Sequence, residues 1–242
     1  MTLAHRLKNL AFRYGIEVHR YDPSDSSQAR FFKVIETHAI DTVIDVGAND
    51  GGYGRFLRRG GYKGAIVSFE PLQDEHERLI GAAEGDRLWF VAPRMALGDD
   101  HRDIDINVAG NSCSSSILLM NSRHELAAPD SRYVGVQRVP LRRLDEVVHP
   151  AIQRGRSVLL KVDTQGFEMP VLRGAEKLLQ SLAGLQLELS LTELYDGQVL
   201  YLDMLRWLAD RGFELWNMMP GFVDQASGRL LQFDGIFFRS KC

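Results

Sequence analysis

The 242 residues carry 29 Lys and Arg against 32 Asp and Glu, a formal charge of −3, and 45% of them are apolar; this suits one globular domain with a full core and leaves no basic footprint for nucleic acid. Two cysteines, Cys113 and Cys242, make neither a disulfide framework nor a structural zinc site. No apolar run approaches a membrane span and none reads as a signal peptide, so a cytoplasmic protein is expected.

Met1 to Tyr14 sets His5, Arg6, Lys8 and Arg13 among Leu3, Leu7, Leu10 and Phe12, a basic amphipathic stretch. Such a stretch can rest on a membrane surface, although a helix packed on the domain is the expected arrangement. Tyr21 to Ser27 is polar and turn-rich, and Gln28 to His38 places Phe31, Phe32, Val34 and Ile35 on one helical face. Residues 1–40 therefore read as a helical lead-in, and residues 41–242 as a single domain.

The run Thr42-Val43-Ile44-Asp45-Val46 is apolar on both faces apart from its acid, which suits a strand buried in a parallel sheet. Gly47, Gly51 and Gly52 follow, so that the chain can turn sharply and approach a ligand. A dinucleotide fingerprint needs a second glycine where Asn49 stands. The spacing from Asp45 through Gly47 to Gly51 instead resembles motif I of S-adenosylmethionine-dependent methyltransferases, whose loop and acid hold the cofactor's amino, carboxylate and ribose groups.

A helix from about Gly52 to Arg59 ends at Gly60-Gly61; Ala65 to Phe69 forms the next strand and finishes on Glu70-Pro71. A helix from about Asp74 to Ala83, a strand near Leu88 to Val91 and a turn at Ala96-Leu97-Gly98-Asp99 come next. Successive strand-helix units predict a doubly wound sheet. Asp103 to Val108 and Tyr133 to Leu141 are extended and predict an antiparallel pair. Between them, Asn111 to Ser116 and a polar stretch to Ser131 read as part of an insertion at about residues 100–141, either a lid over the ligand face or a mobile surface loop. The sheet resumes at Ser157 to Asp163, followed by a helix from Pro170 to Gln180, a strand at Leu185 to Leu191 and a helix at Tyr201 to Arg211. Phe213 to Met218 and Leu231 to Phe238 complete it, with Pro220-Gly221 and Ser227-Gly228 marking turns between them.

Five blocks occur in order: Asp45-Val46-Gly47-Ala48-Asn49, Phe69-Glu70-Pro71, Ala96-Leu97-Gly98-Asp99, Leu160-Lys161-Val162-Asp163-Thr164-Gln165-Gly166-Phe167-Glu168 and Val171-Leu172-Arg173-Gly174-Ala175. From about Thr42 to Arg239 the chain resembles the FkbM family of class I methyltransferases. The resemblance implies a Rossmann-like α/β fold: a mostly parallel, doubly wound seven-stranded sheet with an antiparallel last strand and a small inserted β/loop segment. It also implies S-adenosylmethionine as cofactor and O-methylation of a hydroxyl on a sugar of a glycan, glycolipid or natural product. The family pattern in the fourth block is K-I-D-V-E-G-x-E, so Gln165 puts an amide where a carboxylate is usual.

On the cofactor side, Glu70 at the end of its strand can accept hydrogen bonds from both ribose hydroxyls. Asp45, an acid in a buried strand, needs a partner, with the loop amides or the cofactor ammonium as candidates. Asn49 is placed on the loop or the cofactor carboxylate, Gly47 and Gly51 beside the cofactor, and Asp99 either on the adenine amine or in a plain turn. On the acceptor side, a hydroxyl attacks a sulfonium methyl only once a base takes its proton or a metal lowers its pKa. Asp163 at a strand tip is the first candidate for base, or else it caps the following turn. Glu188 and Asp234 can join it as oxygen ligands of Mg²⁺ or be ordinary buried and hairpin acids. Lys161, two residues before Asp163, points to the same side, where it can pair with that acid or neutralise an alkoxide. His101, His124 and His149 lie in polar stretches as further bases, with ordinary surface positions the alternative, and Ser114 to Ser116 can bind acceptor hydroxyls. Two rival readings stay open: a nicotinamide-dependent oxidoreductase on the same sheet, and a catalytically silent cofactor-binding protein.

Overall fold

The computed structural model describes residues 3–147 and 149–239, which leaves Cys242 outside the description. Its strands are β1 (Thr42–Val46), β2 (Ala65–Phe69), β3 (Trp89–Val91), β4 (Ala96–Leu97), β5 (Arg102–Ala109), β6 (Tyr133–Arg142), β7 (Val158–Val162), β8 (Gly184–Ser190), β9 (Phe213–Pro220), β10 (Val223–Asp224), β11 (Arg229–Leu230) and β12 (Gln232–Arg239). The β-branched and leucine runs of β1, β7 and β8 are buried on both faces, so these strands take the middle of a seven-stranded sheet ordered β3-β2-β1-β7-β8-β12-β9. The first five pair in parallel, and β12, the last in sequence, runs antiparallel between β8 and β9.

Helices α1 (Leu3–Arg13), α2 (Ser27–Thr37), α3 (Gly52–Arg59), α4 (Gln73–Ala83), α5 (Ser122–Ala127), α6 (Pro150–Arg154), α7 (Glu168–Gly174), α8 (Glu176–Leu179) and α9 (Tyr201–Ala209) complete the chain. Alternation along the strands splits the core in two. Val43, Ile66 and Leu159 pack with Phe31 of α2, Leu57 of α3 and Leu79 of α4, whereas Ile44, Leu160 and Leu187 pack with Leu172 of α7 and Leu208 of α9. Helix α2 begins where the Ser26 hydroxyl accepts from the Ala29 amide at 3.2 Å, a cap that satisfies one free donor of the first turn. Helix α1 departs from expectation: Leu7 and Leu10 are 57% and 52% exposed, so it is not packed on the domain.

Three local readings change as well. Ala96–Leu97 is a strand, not a turn, because its backbone pairs in parallel with the end of β6. The helix expected from Pro170 starts earlier, at Glu168, and breaks at Ala175 into α7 and α8. Pro170 sits within the first turn of α7, where its missing N–H leaves no intrahelical bond unmade. The antiparallel β5–β6 pair forms as expected, but the polar stretch between its strands carries the short helix α5.

Candidate functional site

Beneath the site a row of polar side chains crosses the buried sheet. Ser68, Asp45, Lys161 and Gln186 are neighbours in register on β2, β1, β7 and β8. Trp89 Nε1 donates to Ser68 Oγ at 3.0 Å, and Ser68 Oγ donates to Asp45 Oδ2 at 3.2 Å. Lys161 Nζ lies 3.1 Å from Asp45 Oδ1 and donates at 2.9 Å to the Gly47 carbonyl; Tyr53 donates to Gln186 at 2.7 Å. Asp45 is fully buried, so its partners are Lys161 and Ser68 and not loop amides or a cofactor ammonium. Burial alone would lower the Lys161 pKa, but the carboxylates of Asp45 and Asp163 override it and hold the amine above its ordinary value.

Above this row the loop after β1 turns through three positive φ angles, Gly47 at 75°, Asn49 at 48° and Gly51 at 87°, the second tolerated by asparagine more readily than by most residues. A Cβ on Gly47 would meet the Asp163 carbonyl oxygen at 1.8 Å, so the approach of the two chain segments alone already requires this glycine, which also lines the cleft. Gly51, at φ 87°, faces Ala82, Leu79 and Trp89, so it serves packing against α4. Glu70 accepts from the Asn49 amide at 2.7 Å through one oxygen and from the Leu72 amide at 2.8 Å through the other. Burial pushes its pKa up to about 7, against the pull of these amides.

Beside this loop opens a cleft with about 710 Å³ of empty space, its mouth included. Val46, Gly47, Asn49, Glu70, Asp163 and Gln165 supply its polar and turning side, and Phe69, Met95, Ile106, Ile117 and Phe167 its apolar walls. It lies at the carboxyl ends of the parallel strands, where open α/β sheets bind ligands. The insertion covers it and is tied down on both sides: Asn49 Nδ2 donates to Ser112 Oγ at 3.2 Å, and Ser116 Oγ donates to the Gln165 carbonyl at 2.7 Å.

At the tip of β7 the Asp163 side chain is 35% exposed and within 3.6 Å of Lys161 Nζ. Gln165, at φ 54°, donates through Nε2 to Asp163 Oδ1 at 2.9 Å and to Glu188 Oε2 at 2.8 Å, and its oxygen accepts from Tyr195 at 2.8 Å. Gln232 donates to the same Glu188 oxygen at 2.8 Å. Burial, then Asp163 as a like charge, raises the Glu188 pKa well above its ordinary value, which favours its neutral form. The turn after Asp163 is closed by Glu168, whose Oε1 accepts from the Thr164 and Gly166 amides at 3.0 and 3.1 Å; Asp163 is left free of that task.

The methyltransferase FkbM domain matches residues 45–215 of this sequence. The chain belongs to the FkbM methyltransferase family. No curated protein matches it in sequence. Among solved structures, an rRNA methylase from Streptococcus thermophilus is 12% identical with a TM-score of 0.48, over 93% of this chain and 99% of that one. Magnesium protoporphyrin IX methyltransferase from Synechocystis, with bound SAM, is 11% identical at 0.46, over 88% and 79%. TehB from Haemophilus influenzae is 11% identical at 0.47, over 96% and 66%.

Other expected residues of this FkbM methyltransferase lie elsewhere. Asp99 is outside the cleft lining, and its carbonyl accepts from Arg143 at 2.6 Å. His101 pairs with Glu146 at the surface, and His149 accepts from the Ala151 amide at 3.2 Å to cap α6. His124 is buried against the Tyr195 and Phe222 rings, and burial lowers its pKa to about 4. Ser114 and Ser116 are both buried, and Ser115 and Ser116 border the cleft. The Mg²⁺ reading for Asp163, Glu188 and Asp234 is not supported: among the described residues no three acids, histidines or cysteines are grouped to hold a metal. The reason is visible in the packing, since the Gln165 amide fills the space between Asp163 and Glu188, and Asp234 sits inside β12 opposite Glu188, not in a hairpin. Tyr195 is missed by sequence reasoning because its sequence neighbours give no sign of the site; Glu168 stands in the fourth block but is given no role there, and the apolar walls merge with ordinary strand and loop residues.

The buried acids set a pH dependence for FkbM-fold stability. Glu70 and Glu168 are raised to about 7 and Asp234 to about 6, burial being the first cause in each. A folded state that keeps protons which the unfolded chain has released loses stability as pH rises from the ordinary carboxylate range through 6 to 7. His124, lowered to about 4, works in the opposite sense below its ordinary value, but Glu188 adds to the acids. The expected outcome is a Tm lower by roughly 5 °C at pH 7.5 than at pH 5.5 for the ligand-free protein. Calorimetry at the two pH values checks it; a higher Tm at pH 7.5 would show these acids ionised in the fold.

Proposed function

We propose that this methyltransferase uses S-adenosylmethionine to methylate a hydroxyl, on a sugar of a glycan, glycolipid or natural product. The observation that carries the reading is one cleft with the Glu70 carboxylate on its wall and the Asp163 carboxylate at its open side. The residues present suit the cofactor. Glu70 uses one lone pair of each oxygen on the loop amides and keeps the others for hydroxyl donors. The walls of Phe69, Met95, Ile106 and Phe167 suit a purine. When bound, S-adenosylmethionine supplies an electrophilic methyl group. Asp163 accepts the proton of the acceptor hydroxyl, Gln165 fixes the carboxylate's direction, and the cleft walls exclude water. The acceptor class follows from the family resemblance.

Titration calorimetry with S-adenosylhomocysteine and with NAD tests the cofactor. Binding of the first and not the second is expected; the reverse would turn the reading to the oxidoreductase, against which Asn49 already stands in the second glycine's place. Glu70→Ala is expected to weaken S-adenosylhomocysteine by roughly 2–4 kcal/mol, because two charge-assisted bonds go. Undiminished affinity would remove Glu70 from the site.

A further inference from the structure

Helix α1 holds no residue of the cleft, and its apolar side is left uncovered by the described residues. Leu7 and Leu10 are 57% and 52% exposed, and the chain beyond the helix continues the pattern, with Tyr14 77% and Ile16 57% exposed. Leu7, Leu10 and Ala11 share one side of the helix, and Tyr14 follows just past its end at the same spacing. His5, Asn9 and the 72% exposed Phe12 lie opposite, with Lys8 and Arg13 on the two flanks.

Charge identifies what such a side meets. Residues 1–16 contain Arg6, Lys8 and Arg13 and no acid, a charge of +3, so the rest of the chain carries −6 of the total −3. The cationic end of the molecule and its largest run of exposed apolar side chains are thus the same segment. An 11-residue helix is about 16 Å long, too short for a bilayer of about 30 Å, and no helix among the described residues is long and apolar enough to cross a membrane. A short helix with leucines on one side, basic residues on both flanks and exposed aromatics near its end lies in the plane of an anionic lipid surface.

We propose that α1 docks this protein on anionic lipid membranes, lying in the interface with Leu7, Leu10 and Tyr14 turned into the acyl boundary and Lys8 and Arg13 among the headgroup phosphates. A second copy of the chain is a poorer occupant, since it would bring two cationic helices together. Docking is independent of the catalytic reading, because none of these residues touches the cleft.

The test is cosedimentation of the full-length protein with vesicles of phosphatidylcholine alone and of phosphatidylcholine with phosphatidylglycerol in equal parts, at physiological salt. The wild type is expected to sediment with the mixed vesicles and to remain in solution with the neutral ones. Leu7→Glu with Leu10→Glu, and separately Lys8→Glu with Arg13→Glu, should each reduce the bound fraction about tenfold or more while leaving the melting curve and any S-adenosylhomocysteine binding as in the wild type. Equal sedimentation of wild type and the Leu7, Leu10 variant would overturn the proposal, as would no sedimentation with anionic vesicles. A concentration-dependent dimer abolished by that variant, with no vesicle binding, would also overturn it and assign the helix to a second copy.

Discussion

Gly47→Val is expected to unfold the protein, or to leave it several kcal/mol less stable, before any question of ligand binding arises. The sequence suggests that a side chain there would take the cofactor's place. The structure gives a more severe reason: a Cβ would stand 1.8 Å from the Asp163 carbonyl oxygen on the adjoining strand. Neither partner can retreat. The Gly47 amide donates to the Phe69 carbonyl at 3.1 Å, its carbonyl accepts from Lys161 at 2.9 Å, and the Asp163 amide donates to Val46 at 3.1 Å. Valine adds the penalty of a β-branched residue at φ 75°, so two independent costs fall on one position. Urea unfolding of Gly47→Ala and Gly47→Val should give midpoints well below the wild type, valine lower, with losses beyond about 4 kcal/mol in the exceptional class. A Gly47→Val protein with a normal midpoint would mean that β1 and β7 do not approach as described.

Asp163→Asn is expected to lower methyl transfer by roughly 10²–10⁴ while S-adenosylhomocysteine affinity stays close to wild type. The substitution keeps the side chain's shape and allows its oxygen to face Gln165, and removes the charge and with it the ability to take a proton. Work done in the transition state appears in turnover and not in ground-state binding. Cells lacking the gene, complemented with either form and surveyed by mass spectrometry for methylated glycans and glycolipids, supply the readout whichever sugar is the acceptor. Full methylation by a stably expressed Asp163→Asn protein would remove the base from Asp163. The remaining acids are poor substitutes, because Glu188 is pushed toward its neutral form and Glu168 is engaged with two amides.

The strands are legible because the parallel sheet writes itself as apolar runs: β1, β2, β7 and β8 fall within a residue or two of their expected bounds. Glu70 is legible for a related reason, since a strand that ends in an acid and a proline sets that acid at the sheet's carboxyl edge, where it lines the cleft. Asp45 misleads because its partner is decided across strands. Lys161 is far away in sequence and adjacent only once β1 and β7 pair in register. Gln165 reads as a mere exchange of amide for acid until Asp163, Glu188 and Tyr195 are seen to converge on it from three elements. Helix α1 fails in the other direction, because amphipathicity reveals an apolar side but not what covers it.

The row of Ser68, Asp45, Lys161 and Gln186 makes these positions a single mutational unit. Lys161→Met alone would strand the fully buried Asp45 carboxylate without its counter-charge, a loss of about 3–5 kcal/mol. Replacing both residues by apolar ones removes the stranded charge together with its cause, so the pair should cost far less than the two single changes combined. A lineage can therefore keep this ion pair or lose it, but one substitution at a time it must pass through a form with a charge sealed in the sheet. Such a barrier slows drift at these positions even though none of their side chains has to touch a substrate.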